Sequence, residues 1–192
     1  MPPLGIKFYP AIGNADYIDP DGPAAELAYA KMSQSWVFPA LYYTYTAGSV
    51  QFFSIDNIRL SDDELKWLDE ELAKSKARWK VVYAHYHIRS ATDGDAEELV
   101  NRLLPILKKN SVDVWINGHL HEMQEIEPEG SLHFFVSGGG GAPLSGMAPT
   151  YKRSKFREAR HGFSVLEADD QHFDVIFVND DGQEIHRAHI VK

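Results

Sequence analysis

The chain has 192 residues, 44% of them hydrophobic and 24% charged, with a formal net charge of −9 and no cysteine. That is enough chain for one ordinary domain with a real core, and the balance is that of a folded protein rather than a disordered one. The negative charge argues against a nucleic-acid backbone as partner, the missing cysteines exclude disulfides and thiolate metal sites, and no run approaches the roughly 18 apolar residues of a membrane helix.

In chain order, GIKFYPAIG predicts a short strand that ends at Gly13, where the polar residues Asn14 and Asp16 flank Ala15. A turn cluster, residues 19–23, precedes the helical composition AAELAYAKMSQSW. ALYYTYTAGSVQFFSID predicts two strands around a turn at residues 47–49. SDDELKWLDEELAKSKA is the clearest helix. Ser61 is its cap, Glu64 completes a capping box, and Leu65, Leu68 and Leu72 lie on one face. WKVVYAH predicts a buried strand, and residues 95–109 a helix kinked or restarted at Pro105. VDVWINGHLH and LHFFVSGGGG predict two further strands with turns. GFSVLEADDQHFDVIFVNDDGQEIHRAHIV predicts an antiparallel meander of two or three strands. Strands alternating with helices and then a meander make an α/β domain over residues 1–192, with no repeat or linker to divide it. No basic–apolar–small leader is visible, so the chain reads as cytoplasmic as it stands, with its localisation left open.

Three predicted strands end in metal-ligand chemistry: AIG runs into Asn14, VVYA into His85, and VWING into His119 and His121. In α/β sheets ligands gather beyond the carboxyl ends of strands, so these donors are expected to converge. Gly118 is expected to permit the tight turn before His119, and the spacing of two sends His119 and His121 to one side. A single His85 or His87 reads more readily as a surface residue than as a ligand. His133, His161, His172, His186 and His189 read as solvated or hydrogen-bonded. The run of glycines 138–141 reads either as a phosphate cradle or as a plain loop, and Arg89 either as an anion-binding group or as a surface arginine.

Taken together, G-N-A-D at 13–16, A-H at 84–85 and G-H-L-H at 118–121 resemble the ordered motifs of the calcineurin-like metallophosphoesterases, and most closely the purple acid phosphatase branch. The stretches KMSQSWVFPALYY, FFSID, DELKWLDEELA and VSGGGG agree with it, so the resemblance covers nearly the whole chain. It implies a β-sandwich flanked by helices and a hydrolase of small phosphorylated substrates. It implies metal ligands Asn14, His85 and His119 for one ion and His121 for another, with Asn14 and His85 at the catalytic centre and Arg89 as a substrate-binding candidate. The relatives' ions come from iron, zinc and manganese, and many relatives are extracytoplasmic.

Two departures qualify this. Relatives carry, before G-N-H-D, strands with the aspartates that ligate and bridge two metals, whereas Met1 here lies a dozen residues before Gly13. The histidine of that motif, which contacts phosphate, is Ala15. The resemblance therefore implies a truncated metallophosphoesterase with one divalent ion, held by His85, His119 and His121 with Asn14 or water. It also implies a two-fold homodimer covering the sheet left open. The alternatives are an inactive or engineered relative that acts as a binding or scaffold protein, and half of an enzyme completed by another chain.

Overall fold

The protein is described from a computed structural model covering residues 5–146 and 153–192. Helix α1 (Gly22–Ala30) leads to a tight hairpin of β1 (Tyr43–Ala47) and β2 (Val50–Ser54), then α2 (Asp62–Lys74) and β3 (Trp79–Ala84). A two-residue hairpin, β4 (Arg89–Ser90) and β5 (Gly94–Asp95), precedes α3 (Glu97–Arg102) and α4 (Leu104–Lys109). The strands β6 (Val114–Asn117), β7 (Met123–Glu129), β8 (Leu132–Ser137) and β9 (Ser154–Glu158) follow. The meander is β10 (Gly162–Ala168), β11 (His172–Asn179) and β12 (Glu184–Val191).

Seven strands form one sheet in the order β1-β2-β3-β6-β8-β7-β9, with β2, β3, β6 and β8 parallel. The meander is a separate antiparallel sheet, β10-β11-β12. Successive side chains on a strand face opposite ways, and the parallel strands use both faces. Val82, Trp115 and Phe134 pack under Leu65, Leu68 and Leu72 of α2 and the leucines of α3 and α4. Val81, Val114 and Phe135 pack against Phe173, Val175 and Phe177 of the meander. The result is a β-sandwich with helices on one outer face.

Two local expectations are corrected. The segment GIKFYPAIG is not a ladder strand among the described residues. Only Phe8 pairs, with Trp36, and the carbonyls of Tyr9 and Pro10 accept the hydroxyls of Tyr83 (3.0 Å) and Tyr43 (2.7 Å). Pro10 has no N–H to give a ladder, so side-chain hydroxyls hold this segment instead. The capping box of α2 is half formed: Ser61 accepts the Glu64 N–H at 3.1 Å, but the Glu64 carboxyl accepts the Asp56 N–H at 2.7 Å. Pro105 does restart the helix, because α3 ends at Arg102 and α4 begins at Leu104.

Candidate metal centre

Strands β3 and β6 are parallel neighbours whose last residues, Ala84 and Asn117, are paired, so His85 and His119 leave adjacent strand ends. The N-terminal segment, pinned by Tyr43 and Tyr83, delivers Gly13 and Asn14 to the same place. Glycine is needed at 13, because a Cβ there would lie 2.9 Å from His85 Nδ1. Asp16 then accepts the Gly13 N–H at 2.8 Å and closes a short 3-10 turn over Asn14–Tyr17. The Tyr17 hydroxyl donates to the Asp56 carboxylate, and the Arg59 guanidinium sits 4.2 Å over the Tyr17 ring, so the turn is clamped to the start of α2.

Three donors meet at this corner. His85 Nε2 contacts Asn14 Oδ1 and lies 3.1 Å from His119 Nδ1. Two backing residues set the ring positions. Asn57 takes both the N–H (3.0 Å) and the carbonyl (2.8 Å) of Tyr86, fixing the turn after His85, and the Tyr86 ring stands edge-on to His119 at 4.5 Å. Neither role was visible in the sequence, because Asn57 acts on a residue 29 positions away.

The left-handed residue of the G-H-L-H turn is His119, with φ 62°, and not Gly118 as expected. A non-glycine residue in that region is uncommon and collects at functional sites. Gly138 has its own reason: a Cβ there would come within 1.7 Å of the Leu120 carbonyl. Gly138 and Gly139 thus serve close packing behind the turn.

Electrostatics keep the imidazoles neutral. Burial first, then the neighbouring His119, pushes His85 down to about 4, while Asp16 opposes the shift. Burial also lowers His119 and His87, and the Asp93 carboxylate pulls both back up. Asp93, in the turn of the β4–β5 hairpin, was not singled out from the sequence, yet it is a carboxylate that acts on this corner. The Nδ1 of His87 is buried there with no hydrogen-bond partner among the described residues.

The expected shell of three imidazoles is not what the structure holds. His121 Nδ1 donates to the Pro143 carbonyl at 2.6 Å, and its backbone exchanges hydrogen bonds with Ser145, so its ring belongs to the 143–145 loop. Among the described residues no group of three or more His, Asp or Glu side chains is placed to hold an ion. The third donor beside His85 and His119 is the Asn14 amide. Arg89 is corrected as well. It is buried, with Nε 2.7 Å from Glu129 and Nη1 2.7 Å from Asp95, and these carboxylates occupy the guanidinium that was expected to meet substrate.

Two imidazoles thus leave adjacent parallel strand ends of a β-sandwich, with the Asn14 amide beside them. The chain belongs to the calcineurin-like phosphoesterase family, whose model matches residues 1–123, and to its purple acid phosphatase-like branch. It is 30% identical to purple acid phosphatase 7 of Arabidopsis thaliana, over all of this chain and 66% of that protein. It is 27% identical to tartrate-resistant acid phosphatase type 5 of Sus scrofa, over 95% of this chain and 64% of that one. The chain therefore spans just under two thirds of the length of these curated relatives. In structure it is similar to the anchor protein of the inner membrane complex of Plasmodium (TM-score 0.85, 23% identity, 97% of this chain and 66% of that one). It is also similar to a purple acid phosphatase from yellow lupin seeds (TM-score 0.79, 21% identity, 98% and 38%).

The spacing of His85 and His119 is compatible with a divalent ion, whereas Asn14 Oδ1, 2.5 Å from His85 Nε2, is at hydrogen-bond distance and would have to draw back to serve as a ligand. Two ligands about 2.0–2.1 Å from a tetrahedral ion sit a little over 3 Å apart, and the 3.1 Å between His85 and His119 is of that size. Metal ligands must also be deprotonated, and the lowered proton affinity of both rings meets that need.

Proposed function

We propose that the chain is a reduced phosphoric ester hydrolase in which Asn14, His85 and His119 hold a single zinc, iron or manganese ion beside a small phosphorylated substrate. The observation that supports it is the contact of these three donors at one corner. An ion bound there supplies Lewis-acid polarisation of a phosphoryl oxygen. The chain's own residues do the rest. Gly13 lets the loop lie against His85, Tyr86 and Asn57 hold the two imidazoles in register, and exposed Asp93 adds negative charge that draws a cation to His119. Ala15 is exposed beside Asn14 and offers no proton to a departing alcohol, so hydrolysis is slow.

The second reading is a silent family member that binds or anchors, as the Plasmodium neighbour does, and Ala15 is the residue that favours it. One assay separates the two. The metal-loaded chain is expected to turn over p-nitrophenyl phosphate slowly, His119→Ala to abolish this, and Ala15→His to raise it on the order of 10²-fold. A chain that takes up metal yet stays silent with either residue at 15 is the scaffold and not the hydrolase.

The same proposal includes two-fold self-association. Strand β10 is an open sheet edge, and Phe163 on it is 56% exposed. A slot of about 230 Å³ beside it is lined by Tyr45, Phe52, Tyr83 and Ile116. Open edges and apolar surface are rarely left bare. Sedimentation at micromolar concentration is expected to give a dimer that Phe163→Lys dissociates, and a monomeric wild-type chain would refute the dimer.

A further inference from the structure

The outer face of the meander carries a second imidazole pair. His172 and Asp174 are two apart on β11, and Asp174 is the cross-strand partner of His189 on β12, so the three side chains share one face. The rings of His172 and His189 are stacked, 5.0 Å between centroids and 27° apart. Each is oriented by its own carboxylate. His172 Nδ1 lies 3.3 Å from Asp169 Oδ2, and His189 Nδ1 contacts Asp174 Oδ1. Glu167 lies against the same depression, which measures about 340 Å³.

An imidazole whose Nδ1–H is given to a carboxylate presents the Nε2 lone pair outward, and carboxylate–histidine pairs of this kind support metal ligation elsewhere in proteins. Here two such pairs stand side by side. Neither Nε2 takes part in a hydrogen bond among the described residues. The local charge also favours a cation. Glu167, Asp169 and Asp174 bring three negative charges, and Arg187 is the basic group paired with them, 2.7 Å from Asp174 and 3.4 Å from Glu167.

We propose that His172 and His189 form a second divalent transition-metal site, with Asp169 and Asp174 as orienting carboxylates and water completing the sphere. Zinc is the natural occupant for two imidazole nitrogens with acidic backing. The site lies on a different sheet from the His85 and His119 corner, so either proposal can fail without the other.

The test is zinc titration by calorimetry of the full chain carrying His85→Ala and His119→Ala, which removes the strand-end donors. One zinc equivalent is expected to remain, to weaken at least tenfold on adding His172→Ala or His189→Ala, and to weaken about 10–100-fold on adding Asp174→Asn. Because both rings are about half exposed, these variants are expected to fold, with unchanged circular dichroism as the check. Histidine side-chain resonances of the wild-type chain give a second reading: zinc should shift those of His172 and His189. Zinc binding indifferent to both substitutions, or resonances of both rings unmoved by zinc at saturation of the strand-end site, would overturn the proposal.

Discussion

Two polar knots lie close together in the chain and are built on opposite principles. Behind the G-H-L-H turn, the fully buried Glu122 carboxylate takes the Arg157 Nε–H at 2.7 Å, the Gln124 amide at 2.6 Å and the Thr92 hydroxyl. Gln124 in turn accepts the Ala91 N–H at 2.7 Å. Opposite charges and matched donors complete each other there. At the ends of β3 and β6, His85 and His119 meet the Asn14 amide, an oxygen and two ring nitrogens with no charged group in contact. A buried group whose partners are all supplied by the fold is structural. The strand-end corner has no such charge pairing, and that place is the one proposed for a cation.

The largest effect should come from breaking the completed knot. Glu122→Ala removes the buried acceptor shared by Arg157, Gln124 and Thr92. It is expected to cost about 3–5 kcal/mol, read as the shift in urea midpoint at constant slope. A loss below about 1 kcal/mol would mean that the knot is no more than a surface ion pair.

The reverse is expected at the strand ends. His119→Ala should lower zinc affinity at least tenfold while changing stability by no more than about 1 kcal/mol, because the ring is only half-buried. Elemental analysis after dialysis, alongside the melting curve, checks both halves. Unfolding without loss of metal affinity would reverse the contrast.

A smaller effect follows from pH. In the unfolded chain His85 protonates near 6.5, and in the folded chain only near 4. Its folded value is depressed, so the unfolded state takes up the proton first as pH falls. The metal-free protein should therefore hold its full His85-linked stability above pH 6.5 and lose it progressively toward pH 4. His85→Gln should flatten that part of the melting-temperature profile. A wild-type profile level between pH 6.5 and 4 would show that the ring is not held neutral by burial.

The sequence made the parallel strands legible because WKVVYA and VWIN are apolar runs that only two covered faces can use. It also placed His85 and His119 at strand ends, whereas the segment before Asn14, read as a third strand, forms no ladder because the hydroxyls of Tyr43 and Tyr83 hold it instead. Strand β7 was hidden, because Glu122, Gln124 and Glu125 look like an exposed stretch. They are buried since Arg157 and Lys155 of β9 and His186 of β12 reach across to them from 30 to 61 residues away. The same long-range pairing explains the misreading of Arg89, whose acceptor Glu129 is 40 residues distant. Local spacing suggested a common side for His119 and His121, but it could not show that the Pro143 carbonyl would claim the second ring. Nor could composition show which of Gly118 and His119 turns left-handed, since glycine is merely the residue for which the turn costs least.

Anomalous diffraction from zinc-loaded crystals at the zinc edge tests the central claim most directly. One peak is expected at the strand-end corner, about 2.0–2.2 Å from Asn14 Oδ1, His85 Nε2 and His119 Nδ1, with His121 still bound to the Pro143 carbonyl. An empty corner at full zinc occupancy elsewhere, or an ion there held by His121 in place of Asn14, would contradict it.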